Sequence, residues 1–95
     1  MGCWSETSNW RDPSSRALVL LENHDLKLKD DYHFRKQPIS KCAEVARKNG
    51  FKIFAIQNNG QCFGGTANVN FRKFGPSERC ANGVGGQLAN DVYEL

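Results

Sequence analysis

The sequence predicts a small α+β domain, residues 1–95: an antiparallel sheet of about four strands packed on one main helix, with a second short helix and two disulfides. Three observations lead there. A capped amphipathic segment spans residues 38–49, an Asn-Gly hairpin follows it at once, and the four cysteines are evenly numbered but far apart. A chain of 95 residues makes one domain. It buries only about two-thirds of its unfolded surface, so disulfides are the expected supplement to its core.

Gly2 to Ser5 is read as a short strand, and Ala17 to Leu21 as a buried strand entered from a turn at Asp12-Pro13-Ser14-Ser15. Asp25 to Tyr32 is polar and reads as loop. Pro38 suits the first helical position, where its missing donor costs nothing. Ile39, Cys42, Ala43 and Ala46 form one apolar stripe, Lys48 complements the helix dipole, and Gly50 supplies the left-handed cap.

Phe51 to Gln57 is a strand, Asn59-Gly60 a two-residue turn, and Gln61 to Gly64 the return. That turn would place Gln57 opposite Cys62, Ile56 opposite Phe63 and Ala55 opposite Gly64. Phe51, Ile53, Ala55, Cys62 and Gly64 then share one face, and Phe54, Ile56 and Phe63 the other. Both faces are apolar and need cover. Residues 67–74 are read as a short helix turning Val69 or Asn70, with Phe71 and Phe74, inward, capped by Gly75. Pro76 to Gly86 is loop, and Asp91 to Leu95 the closing strand.

Four cysteines allow three pairings. The helix stripe covering the Cys62 face favours Cys42–Cys62, which leaves Cys3–Cys80. The loop-entropy model assigns roughly 3–4.5 kcal/mol to each bridge. Zinc knuckles need close ligand pairs such as C-x-x-C, and neither the cysteines nor His24 and His33 provide one. The expectation is therefore no metal and no cofactor. The loop acids Asp25, Asp30 and Asp31 lack the spacing of a calcium loop.

No enzymatic activity is expected. There is no nucleophile elbow, both histidines sit in the polar middle segment, and the cysteines are better spent on bridges. Asp30-Asp31 and Asp91 with Glu94 are carboxylate pairs without a cleft to serve. Gly64-Gly65-Thr66 and Gly83-Val84-Gly85-Gly86 match no phosphate loop and read as turns requiring positive φ. A net charge of +3, spread over residues such as Arg35, Lys36, Arg47 and Arg72, is too weak for nucleic acid and reads as solvated faces. No apolar run is long enough to span a membrane, and secretion would place the signal peptide outside these residues. No Asn-x-Ser/Thr acceptor occurs.

Binding is the remaining class. Trp4, beside Cys3, reads as core packed over a bridge, whereas Trp10 lies among polar residues and reads as exposed. An exposed indole can stack on a sugar or a protein partner. Asn58, Asn59 and Gln61 at the hairpin tip, with Gln87, Asn90 and Asp91 near the end, offer groups that pair with vicinal hydroxyls. Turn formation also accounts for such residues.

Gly2-Cys3-Trp4, Arg16-Ala17-Leu18, Cys42 on its helix and the run Gly50 to Gly65 together resemble the WSC domain. That family is a small cysteine-rich extracellular module in the general style of PAN/apple domains. The resemblance implies a secreted carbohydrate-binding, lectin-like module. Its second helical cysteine would fall at Ala46 and its second hairpin cysteine at Gly64, so one whole bridge is dropped and small residues remain. The ending from Gly85 to Tyr93 looks like an invertebrate variant of the family. The expected partner is a glycan or glycoprotein. Avidity for a weak single site would come from homo-oligomerisation. The alternative is a secreted protein-binding module of the adhesion, inhibitor or toxin-like kind.

Overall fold

The computed structural model describes residues 1–7, 16–23 and 25–95. The predicted turn at 12–15 and the Trp10 site lie outside them. Five strands form one antiparallel sheet: β1 (Cys3–Ser5), β2 (Val19–Leu20), β3 (Ile53–Gln57), β4 (Gln61–Gly65) and β5 (Ala89–Glu94), in the order β1-β5-β3-β4-β2. One helix, α1 (Pro38–Lys48), packs on β3 and β4. The class is α+β, with five strands where about four were expected.

The start of α1 follows from Pro38 at its first position, where the fixed φ is already helical. Gln37 before it is left-handed and supplies no side-chain cap. Arg47 and Lys48 occupy the last turn, and Gly50 takes a φ of 81° beyond it. Cys42, Val45 and Ala46 are the buried face.

The hairpin register differs from the expected one by a single residue. Ile56 pairs with Cys62, Ala55 with Phe63 and Phe54 with Gly64, so the turn holds three residues, Asn58-Asn59-Gly60. Asn58 and Asn59 both take positive φ, at 50° and 71°, and Gly60 N–H closes the turn on Gln57 O at 3.1 Å. The positive-φ pair is therefore Asn-Asn, with Gly60 as the extra residue, because asparagine tolerates the left-handed region well enough to fill both places. A one-residue slip exchanges faces. Phe54 and Ile56 thus join Cys62 beneath α1, in a core with Leu21, Leu28, Cys42, Val45 and Ala46. Ile53, Ala55, Phe63 and Val92 line the opposite face with Ala17, Leu18 and Phe71.

The second face is covered differently from the expectation. Residues 67–74 form consecutive turns, closed by Val69 N to Thr66 O, Lys73 N to Asn70 O and Gly75 N to Arg72 O, each at 3.0–3.2 Å. Eight residues with two asparagines and a β-branched valine cannot recover the cost of nucleating a helix. Phe71 is buried and Val69 packs against it, but Phe74 faces solvent. Trp4 is half-buried there, edge-on to Phe71 at 6.1 Å with the Arg72 guanidinium 5.2 Å from its ring. The Ala17–Leu21 segment is strand over only two residues. Its ends anchor it: Leu18 sinks into one core and Leu21 into the other, while Val19 and Leu20 are exposed. Gly64 and Gly65 are strand residues rather than turn residues. A Cβ on Gly64 would lie 2.7 Å from the Phe51 ring, so Phe51 and Leu21 occupy the space where the WSC pattern has a cysteine.

Cys42 bonds to Cys62 in the centre of the first core, and Cys3 to Cys80 at the far edge of the sheet. The loop-entropy relation gives roughly 3 kcal/mol for the shorter loop and about 4.5 kcal/mol for the longer. The double substitution Cys42→Ala/Cys62→Ala is expected to cost at least the roughly 3 kcal/mol of its loop term. Urea unfolding followed by circular dichroism measures that loss.

Candidate functional site

The hairpin tip is where three segments meet. On one side it docks on the loop that precedes β5. Asn58 N–H donates to Gly86 O at 3.2 Å and Asn59 N–H to Val84 O at 3.0 Å. The Asn58 amide reaches Gln57 Oε1 at 3.3 Å and Gln61 Oε1 at 3.4 Å. Behind them runs a buried polar chain. Gln57 Nε2 donates to Asn90 Oδ1 at 3.1 Å, and Asn90 Nδ2 to Glu6 Oε2 at 3.5 Å. Glu6 also accepts Ala17 N–H at 2.9 Å. Asp91 accepts Gly85 N–H at 2.8 Å.

The structure thus gathers Asn58, Asn59, Gln61, Gln87, Asn90 and Asp91 at one end of the molecule, but in unequal roles. Asn59 and Gln87 are exposed. Asn58, Gln61 and Asp91 are half-buried and partly occupied by internal bonds. Asn90 has 0% exposure, so it supports the surface from within and cannot touch a ligand. A buried amide must find its partners inside the protein, and Asn90 finds Gln57 and Glu6.

Arg35 fastens the other side of the tip. Its guanidinium donates to Glu22 through both Nη atoms at 2.9 and 2.7 Å, to Asp30 Oδ1 through Nε at 2.8 Å, and to Gly60 O at 2.9 Å. Glu22 in turn accepts Cys62 N–H at 2.9 Å. Arg35, expected on a solvated face, is fully buried along its side chain. Burial alone would lower its pKa and is the largest influence, but the bonds to Glu22 and Asp30 together outweigh it and raise the value. Gly60 has no room for a side chain, since a Cβ would lie 2.4 Å from Tyr32 O. The 30–35 segment therefore lies directly against the tip.

The stretch from Asp25 to Phe34, expected to be polar loop up to Tyr32, carries two short 3-10 turns, Leu26–Leu28 and Tyr32–Phe34. Asp25 caps the first through Lys27 N–H and Asp31 the second through His33 N–H, each at 3.0 Å. The second turn presents aromatic rings. Tyr32 and His33 stack with centroids 4.2 Å apart, and Phe34 stands 83% exposed beside them, with centroids 6.5 Å from His33. Leu26, in the first turn, is 81% exposed. Sequence reasoning missed Leu26, Tyr32, His33 and Phe34. The available signal was an aromatic triplet inside a charged stretch.

The carboxyls here sit below the ordinary aspartate range. Hydrogen bonds from Lys27 N–H and then Lys48 lower Asp25, the Arg35 bond lowers Asp30, and the His33 ring and N–H lower Asp31. Elsewhere an open cleft of about 550 Å³ is lined by Ser5, Glu6, Pro76, Ser77, Glu78, Arg79 and Leu88. Among the described residues no group of three or more His, Cys, Asp or Glu could hold a metal ion, and no helix is long and apolar enough to cross a membrane. Comparison with protein-family models, curated proteins and solved structures gives no match for this chain.

Two outcomes follow. Arg35→Met leaves the partly buried Glu22 carboxylate without its partner and is expected to cost about 3–5 kcal/mol in denaturant titrations. The lowered aspartates contribute stability that is present above the unfolded aspartate pKa and is lost as pH falls through the folded values. Thermal unfolding midpoints should be level down to about pH 5 and fall below about pH 4, and Asp30→Asn should flatten that fall.

Proposed function

We propose that this protein is a secreted carbohydrate-binding module that takes its ligand at the hairpin end. The observation that carries the reading is the exposure of Phe34, at 83%, on a turn pinned to the tip by a buried arginine. Apolar and aromatic groups exposed side by side, rather than scattered singly, mark interaction surfaces. With the Tyr32–His33 stack it forms an aromatic cluster whose backbone lies against Gly60, between Asn59 and Gln61 in the tip. Stacking on the apolar face of a sugar ring, with planar amides donating to or accepting from its hydroxyls and the Asp31 carboxylate accepting from them, is the chemistry this arrangement offers. Asn58 and Gln87 belong to the other side of the tip, toward the loop before β5, which Asn90 and Asp91 brace from within.

Two further points support the reading. Two disulfides among the described residues are typical of extracellular proteins. The resemblance of Gly2-Cys3-Trp4 and the 50–65 hairpin to the WSC pattern implies carbohydrate binding outside the cell. A single shallow site binds weakly, so homo-oligomerisation would supply avidity. A second reading, a protein-binding module, is favoured by Leu26: a second exposed apolar side chain suits an anchor into a partner's pocket.

A glycan array probed with the oxidised protein separates the two. A lectin is expected to give sugar hits that a free monosaccharide displaces. Phe34→Ala should weaken them by about tenfold or more. Asn59→Gly, which removes the carboxamide but keeps the positive φ of the turn, should weaken them too, with thermal stability retained. An array without displaceable hits, alongside a protein captured from extracellular fluid in a Phe34-dependent way, establishes the second reading instead.

A further inference from the structure

The chain holds three Asn-Gly pairs: Asn49-Gly50, Asn59-Gly60 and Asn82-Gly83. Each could undergo the same reaction. The glycine backbone nitrogen attacks the asparagine Cγ, the bond from Cγ to the amide nitrogen breaks, and ammonia leaves with the displaced proton. The resulting five-membered succinimide is opened by water at either carbonyl, giving aspartate or isoaspartate. Water is the only co-reactant. The step needs a glycine N–H that can lose its proton and a carboxamide free to swing over it.

The structure separates the three pairs by what their atoms are already doing. Gly50 N–H donates to Arg47 O at 3.1 Å, and the Asn49 carboxamide is itself held by Val45 O at 2.8 Å. Gly60 N–H donates to Gln57 O at 3.1 Å, and Gly60 is buried beneath Tyr32 O. Gly83 N–H meets no acceptor among the described residues. The reason is the turn. Val84 N–H closes on Ala81 O at 3.1 Å, with Asn82 at φ 58° and Gly83 at φ 77°. Both central residues are left-handed, as in a type I′ turn, and the amide between them points away from the closing bond. Asn82 is exposed, so its side chain is unhindered.

We infer that Asn82 is a site of spontaneous deamidation and isoaspartate formation in the folded protein, while Asn49 and Asn59 are protected by the fold. The consequence reaches the hairpin end. Isoaspartate adds a backbone methylene within the turn that positions Val84, and Val84 O holds Asn59 N–H at 3.0 Å. The Tyr93 hydroxyl donates to Gly83 O and anchors the far side of the same turn. Modification therefore loosens the contact between loop and tip and adds a negative charge beside it.

The native, oxidised protein is incubated in mildly alkaline buffer and mapped by peptide mass spectrometry, with fragmentation that distinguishes aspartate from isoaspartate. Conversion of amide to acid is expected at Asn82 on the order of tenfold faster than at Asn49 or Asn59, since the latter two must first break a backbone hydrogen bond. In reduced, denatured chain the three should convert at similar rates. Asn82→Gln should abolish the native-state signal. The inference is overturned if Asn49 or Asn59 converts as fast as Asn82 in folded protein. It is equally overturned if folded Asn82 stays intact over a period in which the denatured chain converts there.

Discussion

The Cys42–Cys62 bridge is the constraint on which the remaining architecture depends. Both cysteines are fully buried, one on the inward face of α1 and the other in β4. The bond sets which side of the hairpin the helix covers. Once Cys62 lies beneath α1, alternation along β4 sends Phe63 to the other side, and pairing with β3 divides Phe54 and Ile56 from Ile53 and Ala55. A sheet apolar on both faces needs two covers. The helix supplies one. The other is assembled from short pieces: the 16–18 segment, the 67–74 turns and Trp4.

The same hairpin presents its tip to two loops that approach from opposite sides. Each is held at the tip by hydrogen bonds. Arg35 holds the 30–35 segment through Gly60 and Glu22, and the backbone of Asn58 and Asn59 holds the loop before β5. A buried charged group is tolerated when its donors are all used, and the five N–H groups of Arg35 are met by Glu22, by the carboxylate and carbonyl of Asp30, and by Gly60 O. The result is a stiff platform. Phe34 and the Tyr32–His33 stack stand on it by virtue of backbone position, not because a core draws them in. On the proposed reading such bracing suits a small binding surface, since ordering costs are then met on folding rather than on association.

Local rules carried the elements and stopped at relationships between them. Helix 38–48 was legible because Pro38, the apolar stripe and Gly50 act within a few residues of one another. The hairpin was legible for the same reason, but its register was not: an Asn-Asn-Gly-Gln stretch can place its two positive-φ residues at either of two offsets, and the loop contacts at Asn58 and Asn59 select one. The 67–74 segment has Phe71 and Phe74 at a helical spacing of three without the length to support a helix, so the fold uses it as turns. Arg35 and Asn90 looked like solvent-facing polar residues. Their partners, Glu22 and Glu6, are remote in the chain, and nothing local announces such pairings.

The sequence by itself determined the class, the main helix, the hairpin and the paired cysteines. Each follows from composition or from periodicity over short spans, where the physics is that of backbone dihedrals and side-chain direction. Only the tertiary structure decided which amides are buried, which arginine is a clamp, which rings stay in water and which Asn-Gly pair has its N–H free. Those outcomes rest on contacts between residues such as Asn90 and Glu6, whose separation along the chain puts them beyond any local pattern. Burial and hydrogen-bond satisfaction are properties of the assembled molecule, so they become definite only when the segments meet.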